Sequence, residues 1–152
     1  MCAMSGDLED PPGVSSGPGP DAPAPDIIGM HHVRLPVSNV LLSRDWYSVV
    51  LGLAPILVAE DEEGVTGVVM RHRTGIVISL HCAPELAEAL VGFAVLGLSV
   101  PDLAAWTRHL DRLGIGHSNP VDVHPGHRLE VVDPDGLVIE LHTPRQPSAD
   151  EA

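Results

Sequence analysis

Apolar and polar side chains alternate along two nearly identical heptapeptides, Gly75-Ile76-Val77-Ile78-Ser79-Leu80-His81 and Gly136-Leu137-Val138-Ile139-Glu140-Leu141-His142, 61 residues apart. A period of two in a β-prone run opened by glycine predicts a strand whose successive side chains point to opposite faces. In the later copy Leu137, Ile139 and Leu141 then share an apolar face suited to packing on helices, and Val138, Glu140 and His142 share the other. The earlier copy puts Val77, Ser79 and His81 on that second face. A carboxylate and imidazoles on one side of an otherwise apolar strand require water, a partner or a ligand, because an unpaired charge is costly to bury. That face is the expected lining of a site.

The repetition extends upstream, where His32-Val33-Arg34-Leu35-Pro36-Val37 aligns with Val95-Leu96-Gly97-Leu98-Ser99-Val100. A helical pattern follows each. Asn39 is placed to cap a helix from Val40 to Val50, with Leu42, Trp46, Val49 and Val50 at helical spacing and Gly52 past its end. Asp102 stands in the same relation to Leu103, Trp106, Leu110 and Leu113, and Gly114 ends that stripe. Ala54 to Glu60 and Val65 to Met70 flank an acidic turn and predict a hairpin. In the second half Ser118 to Val123 and Arg128 to Val132 are expected strands around a His124-Pro125-Gly126-His127 loop. Asp133-Pro134-Asp135-Gly136 carries Pro and Gly where a β-turn needs them. Each half therefore reads β-α-β-β-β. The fold class is α+β, with modules at about 27–84 and 92–143 forming one domain over 27–143, since either alone is too small to bury a core.

Composition changes this picture only at the edges. Residues 1–26 are rich in proline and glycine, with five acidic residues and no basic one, and predict a disordered tail; a loose tail is expected over 144–152. Of the net charge of −13, the domain carries −7, from 14 acidic residues against 7 arginines and no lysine. Such a surface repels phosphates and anionic lipid heads, which argues against nucleic acid or membrane partners, and it suits a cationic small molecule or simple solubility. No secretory signal or spanning run is present, and Cys2 and Cys82 give no disulfide framework, so a reducing cytoplasm is the expected compartment.

The two βαβββ repeats, the His32-Val33 opening, Trp46-Tyr47 before Leu51-Gly52-Leu53, and the Asp133-Pro134-Asp135-Gly136 turn into Ile139-Glu140-Leu141 together resemble the vicinal oxygen chelate superfamily. That superfamily includes glyoxalase I, bleomycin and fosfomycin resistance proteins and extradiol dioxygenases. The resemblance implies a cupped eight-stranded mixed sheet around a cavity, often completed by a second subunit, hence a homodimer with a small-molecule ligand. It also implies a divalent metal (zinc, nickel, iron or manganese) held by the first and last strand of each module. Those positions here are His32, Ser79, Val95 and Glu140. Val95 cannot coordinate, and the three-ligand set of the fosfomycin and dioxygenase branches needs a histidine there. A Lewis-acid metal generally wants three or more protein ligands and an open position, so the usual set is incomplete.

His81 and His142, two residues beyond Ser79 and Glu140, share the cavity face and are candidate displaced ligands or partly solvated strand-end histidines. His124 and His127 lie on a loop that either caps the cavity or merely connects strands, and His31 is expected to face away from His32. Without metal, His32 and Glu140 can act as general acid and base, with Arg34 holding a substrate carboxylate or, alternatively, pairing with Glu140. Ser79 and Val95 then line the substrate site. Trp46 and Trp106 read as core anchors rather than an aromatic box, leaving a mostly aliphatic lining of Val77, Val95, Gly97 and Val138.

Two functions fit. One is a glyoxalase-like lyase or isomerase acting on a small oxygenated molecule, with metal completed by His81, His142 or a dimer mate. The other is a metal-free protein that sequesters a small molecule or drug, as the bleomycin resistance branch does. His32 with Glu140 favours the first; Ser79 and Val95 favour the second.

Overall fold

The protein is described from a computed structural model covering residues 22–144, and the tails expected over 1–26 and 144–152 fall mostly outside these. The first module contains β1 (Val33–Val37), α1 (Val40–Leu51), β2 (Leu53–Asp61), β3 (Gly64–His72) and β4 (Val77–Cys82). A short helix, α2 (Pro84–Ala89), leads to the second module, which contains β5 (Ala94–Ser99), α3 (Leu103–Leu113), β6 (Val121–Asp122), β7 (His127–Val132) and β8 (Val138–His142). The repeat in sequence is a repeat in topology. Each module is a four-stranded mixed sheet, ordered β1-β4-β3-β2 and β5-β8-β7-β6, in which first and last strands pair in parallel.

Local chemistry sets the element ends. The Asn39 side chain accepts the N–H of Leu42, and Asp102 accepts those of Ala104 and Ala105, so one otherwise orphaned donor at the start of α1 and two at the start of α3 find partners in the cap. Gly52 and Gly114 end the helices in the left-handed region, at φ 71° and 68°, where a side chain would be strained.

The alternation read in the heptapeptides is realised. Ile78 and Leu80 of β4 and Ile139 and Leu141 of β8 are buried, and with Leu35, Val37, Leu129 and Val131 they join the helices in one core spanning both modules. The opposite faces, carrying Arg34, Ser79 and His81 in one sheet and Gly97, Glu140 and His142 in the other, remain exposed or half-buried.

Three expectations change. The buried stripe of α1 is Val40, Ser43, Tyr47, Val50 and Leu51, whereas Leu42 and Val49 are exposed and Trp46 is only partly covered. Apolar residues lie on several sides of α1, so spacing alone does not single out the buried stripe, and the docked sheet selects the one that buries Tyr47. The strand expected over Ser118 to Val123 shortens to Val121–Asp122, with His117 bridging to Val131 beforehand. The linker helix α2 was not anticipated; Pro84 at its start fits a first helical turn.

Candidate functional site

On the first sheet β1 and β4 run parallel with Arg34 opposite Ser79, which places these two expected substrate contacts side by side. His81 sits across from Gly67 of β3; a Cβ on Gly67 would come within 2.9 Å of the Leu80 carbonyl oxygen, so only glycine permits that close strand approach. His32 precedes the first strand residue, and its Nδ1 meets Nδ1 of His31 at 2.9 Å with both rings exposed. The alternation that would separate them holds only inside a strand, and β1 starts at Val33.

On the second sheet Gly97 of β5 lies opposite Glu140, while Glu130 and Arg128 of β7 lie opposite Glu140 and His142. Two carboxylates facing each other across adjacent strands repel, and Arg128 sits between them. Its guanidinium reaches Glu130 Oε1 at 3.2 Å and Glu140 Oε1 at 3.4 Å. The second oxygen of Glu140 meets His142 Nε2 at 2.8 Å. Both oxygens of Glu140 are thereby engaged within its own sheet. Arg128, not Arg34, is the arginine paired with it. The Arg128 Nε is buried and has no partner among the described residues.

A cleft of about 590 Å³ runs where the β1 and β5 sides of the two sheets approach each other, lined by His31, His32, Val33, Ile76, Val77 and the strand Val95–Ser99. It brings together His32, Val77, Val95 and Gly97 from the expected lining. Glu140, Ser79 and Arg34 lie on the adjoining sheet faces outside it.

The sequence model of the Glyoxalase/Bleomycin resistance protein/Dioxygenase superfamily matches residues 29–141. The chain belongs to this superfamily. Among solved structures it is similar to the antibiotic binding protein TnmS3 from Streptomyces sp. CB03234, at 22% identity over 78% of this chain and 99% of that one, with a TM-score of 0.62. It is also similar to the fosfomycin resistance protein FosX from Listeria monocytogenes, at 14% identity over 78% and 95% of the two chains, TM-score 0.62. A FosX variant complexed with Mn(II) and a dihydroxypropylphosphonic acid is 15% identical over 78% and 93%, TM-score 0.61. No curated protein matches the chain. At these identities the likeness is one of fold.

The four expected metal positions, His32, Ser79, Val95 and Glu140, do not together fit a divalent ion. Val95 offers no donor, Ser79 is a weak one, and the carboxylate of Glu140 is already held by Arg128 and His142. Among the described residues no group of three or more His, Cys, Asp or Glu side chains is assembled to hold a metal. His124 lies in the loop joining β6 to β7, whereas His127, expected in the same loop, opens β7 opposite Asp122 and pairs its Nε2 with that carboxylate at 3.1 Å.

Two features escaped the sequence reading. In sequence Arg128 reads only as a strand residue, although a tight turn over Asp133–Gly136 fixes which β7 residues oppose Glu140 and His142 and is the signal for it. Tyr47 and Asp133 form a buried pair between modules, and nothing local in the sequence marks a contact between residues so far apart.

Proposed function

We propose that this chain binds a small oxygenated organic molecule with an apolar body in the cleft between its two sheets, and that it holds this molecule without metal chemistry, in the manner of a sequestering protein. The single observation carrying the reading is the state of Glu140. Its two oxygens are committed to Arg128 and His142, while its counterparts Ser79 and Val95 supply no strong ligand. The cleft offers aliphatic walls, from Val33, Val77 and Val95, with His31 and His32 at one end to hydrogen-bond an oxygen of the guest. A homodimer belongs to the same proposal. It is supported by the exposure of Ile56, Leu57 and Val58 on the edge strand β2, at the far end of the first sheet from the cleft.

Metal content of untagged protein, measured beside His32→Ala and Glu140→Ala, tests the reading. The expected result is no bound metal after exposure to nickel, manganese, iron and zinc, with thermal upshifts by apolar carbonyl compounds that survive a chelator and vanish in Val77→Phe. About one equivalent per chain, lost in both alanine variants, would replace this reading with a metal-dependent lyase or isomerase.

A further inference from the structure

Next to the cleft lined by His32, with which it shares Thr74, Ile76, Leu98 and Ser99, lies a separate cavity of about 290 Å³ walled by Leu53, Ile76, Leu98, Val100, Pro101 and Trp106. It shares Leu51, His72, Arg73 and Trp106 with a neighbouring hollow of about 380 Å³ that reaches to Gly52 and His109. The apolar walls come from both modules, and the polar groups gather at the shared rim.

The hydrogen bonds fix what that rim presents. The backbone N–H of Thr74 donates to Nδ1 of His72 at 3.2 Å, so Nδ1 is the acceptor and the ring proton of the neutral imidazole sits on Nε2. The Thr74 hydroxyl, 2.7 Å from the same Nδ1, holds the ring in place. Nε2 faces Gly52, where a Cβ would stand 3.7 Å away, so the missing side chain leaves the N–H open to the hollow. Arg73 makes no ion pair among the described residues, although the chain is strongly acidic. Trp106 is only partly buried and is steadied edge-on by His109, whose Nε2 donates to the Val50 carbonyl at 3.0 Å.

We propose that this cavity is a second ligand site, specific for a monocarboxylate with a flat apolar body. The body lies against Trp106 between the walls of the smaller cavity, and the carboxylate takes the Arg73 fork and the His72 Nε2–H. A planar, bidentate acceptor matches a guanidinium, and an aromatic face contributes area at little entropic cost. A single negative charge is favoured over a multiply charged anion because the chain as a whole carries a net charge of −13.

The probe is 4-phenylbutyrate. In a Trp46→Phe background Trp106 is the sole indole, and its fluorescence reports the site; saturation-transfer NMR on the unmodified chain reads the same binding without that substitution. The expected result is saturable binding, weakened about ten-fold or more, equivalent to about 1.4 kcal/mol, by Arg73→Gln and by His72→Gln, and equally by replacing the acid with 4-phenylbutanol. Arg112→Gln, which removes the same charge from the exposed end of α3, leaves it unchanged. Absence of saturation by either readout up to about 10 mM, an alcohol that binds as tightly as the acid, or an equal loss in Arg112→Gln would each overturn the proposal.

Discussion

The hydroxyl of Tyr47 on α1 donates to Oδ2 of Asp133 at 2.8 Å, linking a helix of the first module to the turn before the last strand of the second. Both groups are buried. The other oxygen of Asp133 accepts the N–H groups of Asp135 and Leu137, at 2.9 Å each, which closes the turn, and Asp135 in turn accepts the N–H of Ser38 at the end of β1. One carboxylate thus fixes the turn, its own strand and the packing of the two modules. Burial pushes the Tyr47 phenol far above its usual range, with the adjacent Asp133 charge adding to the effect, so it remains a donor at every physiological pH.

Tyr47→Phe is expected to lower stability by about 1–3 kcal/mol, the usual result of stranding a buried charged acceptor. Burial raises the Asp133 pKa, while the hydrogen bonds from Tyr47, Leu137 and Asp135 oppose that rise. An acid whose folded pKa lies above its unfolded value, about 3.9, favours folding most when protonated and loses that contribution as pH climbs through the folded pKa. Removing the hydroxyl raises that pKa further, so the deficit of Tyr47→Phe is larger at pH 7 than at pH 4. Urea unfolding of both proteins at the two pH values checks this, and equal deficits would exclude it.

How much of this was legible in sequence depends on range. The strand faces around Ile78, Leu80, Ile139 and Leu141 followed from a period of two, and the helix ends from Asn39, Asp102, Gly52 and Gly114, because these are contacts within a few residues. Cross-strand relations were half legible: the turn that places Arg128 opposite His142 was read, its consequence for Glu140 was not. Helical spacing favours Trp46 over Tyr47, but the choice between adjacent helix faces is made by the sheet that packs against them. His32 could be assigned to the first strand's motif, but whether it meets Glu140 depends on how two sheets sit together, which no periodicity encodes.

Arg128 holds two opposed carboxylates, and Arg128→Met should cost about 1 kcal/mol, mostly from Glu130–Glu140 repulsion released onto adjacent strands. If so, Glu130→Gln in the Arg128→Met background restores part of the loss, and added salt narrows the gap between wild type and the single variant. A double-mutant cycle by urea unfolding reads the coupling; strict additivity would show that Arg128 acts through packing alone.

His117 has acceptors at both ring nitrogens: the Ser118 carbonyl at 2.7 Å from Nδ1 and Asp111 at 3.0 Å from Nε2. Only the imidazolium donates to both. Its pKa is accordingly raised, first by the Ser118 carbonyl and then by Asp111, against the opposing effect of burial. A cationic group with a raised folded pKa stabilises fully below its unfolded value, about 6.5, and that contribution disappears as pH rises through the folded value. NMR titration should place His117 above 6.5, with Asp111→Asn lowering it, and His117→Gln should flatten the fall in stability between pH 6 and pH 9. A titration midpoint at or below the ordinary histidine value would contradict the two-acceptor geometry.

If this chain works without metal, as proposed, because β5 lacks a donor, then supplying one should bring a metal in. Val95 and His32 occupy equivalent positions of the repeat and line the same cleft. Val95→His places a second imidazole in the cleft that His32 lines, at a position that is only partly covered although it packs against the core. Two converging histidines suffice for measurable nickel affinity, and the gain should be about ten-fold or more over wild type by calorimetry, which is at least about 1.4 kcal/mol. His32→Ala in the Val95→His background must abolish it, whereas Glu140→Gln in that background should leave most of it, since Glu140 is committed to Arg128 and His142. Were Glu140→Gln to remove the gain as completely as His32→Ala, the carboxylate would be free to turn toward the cleft, and the metal-dependent reading would become the better one.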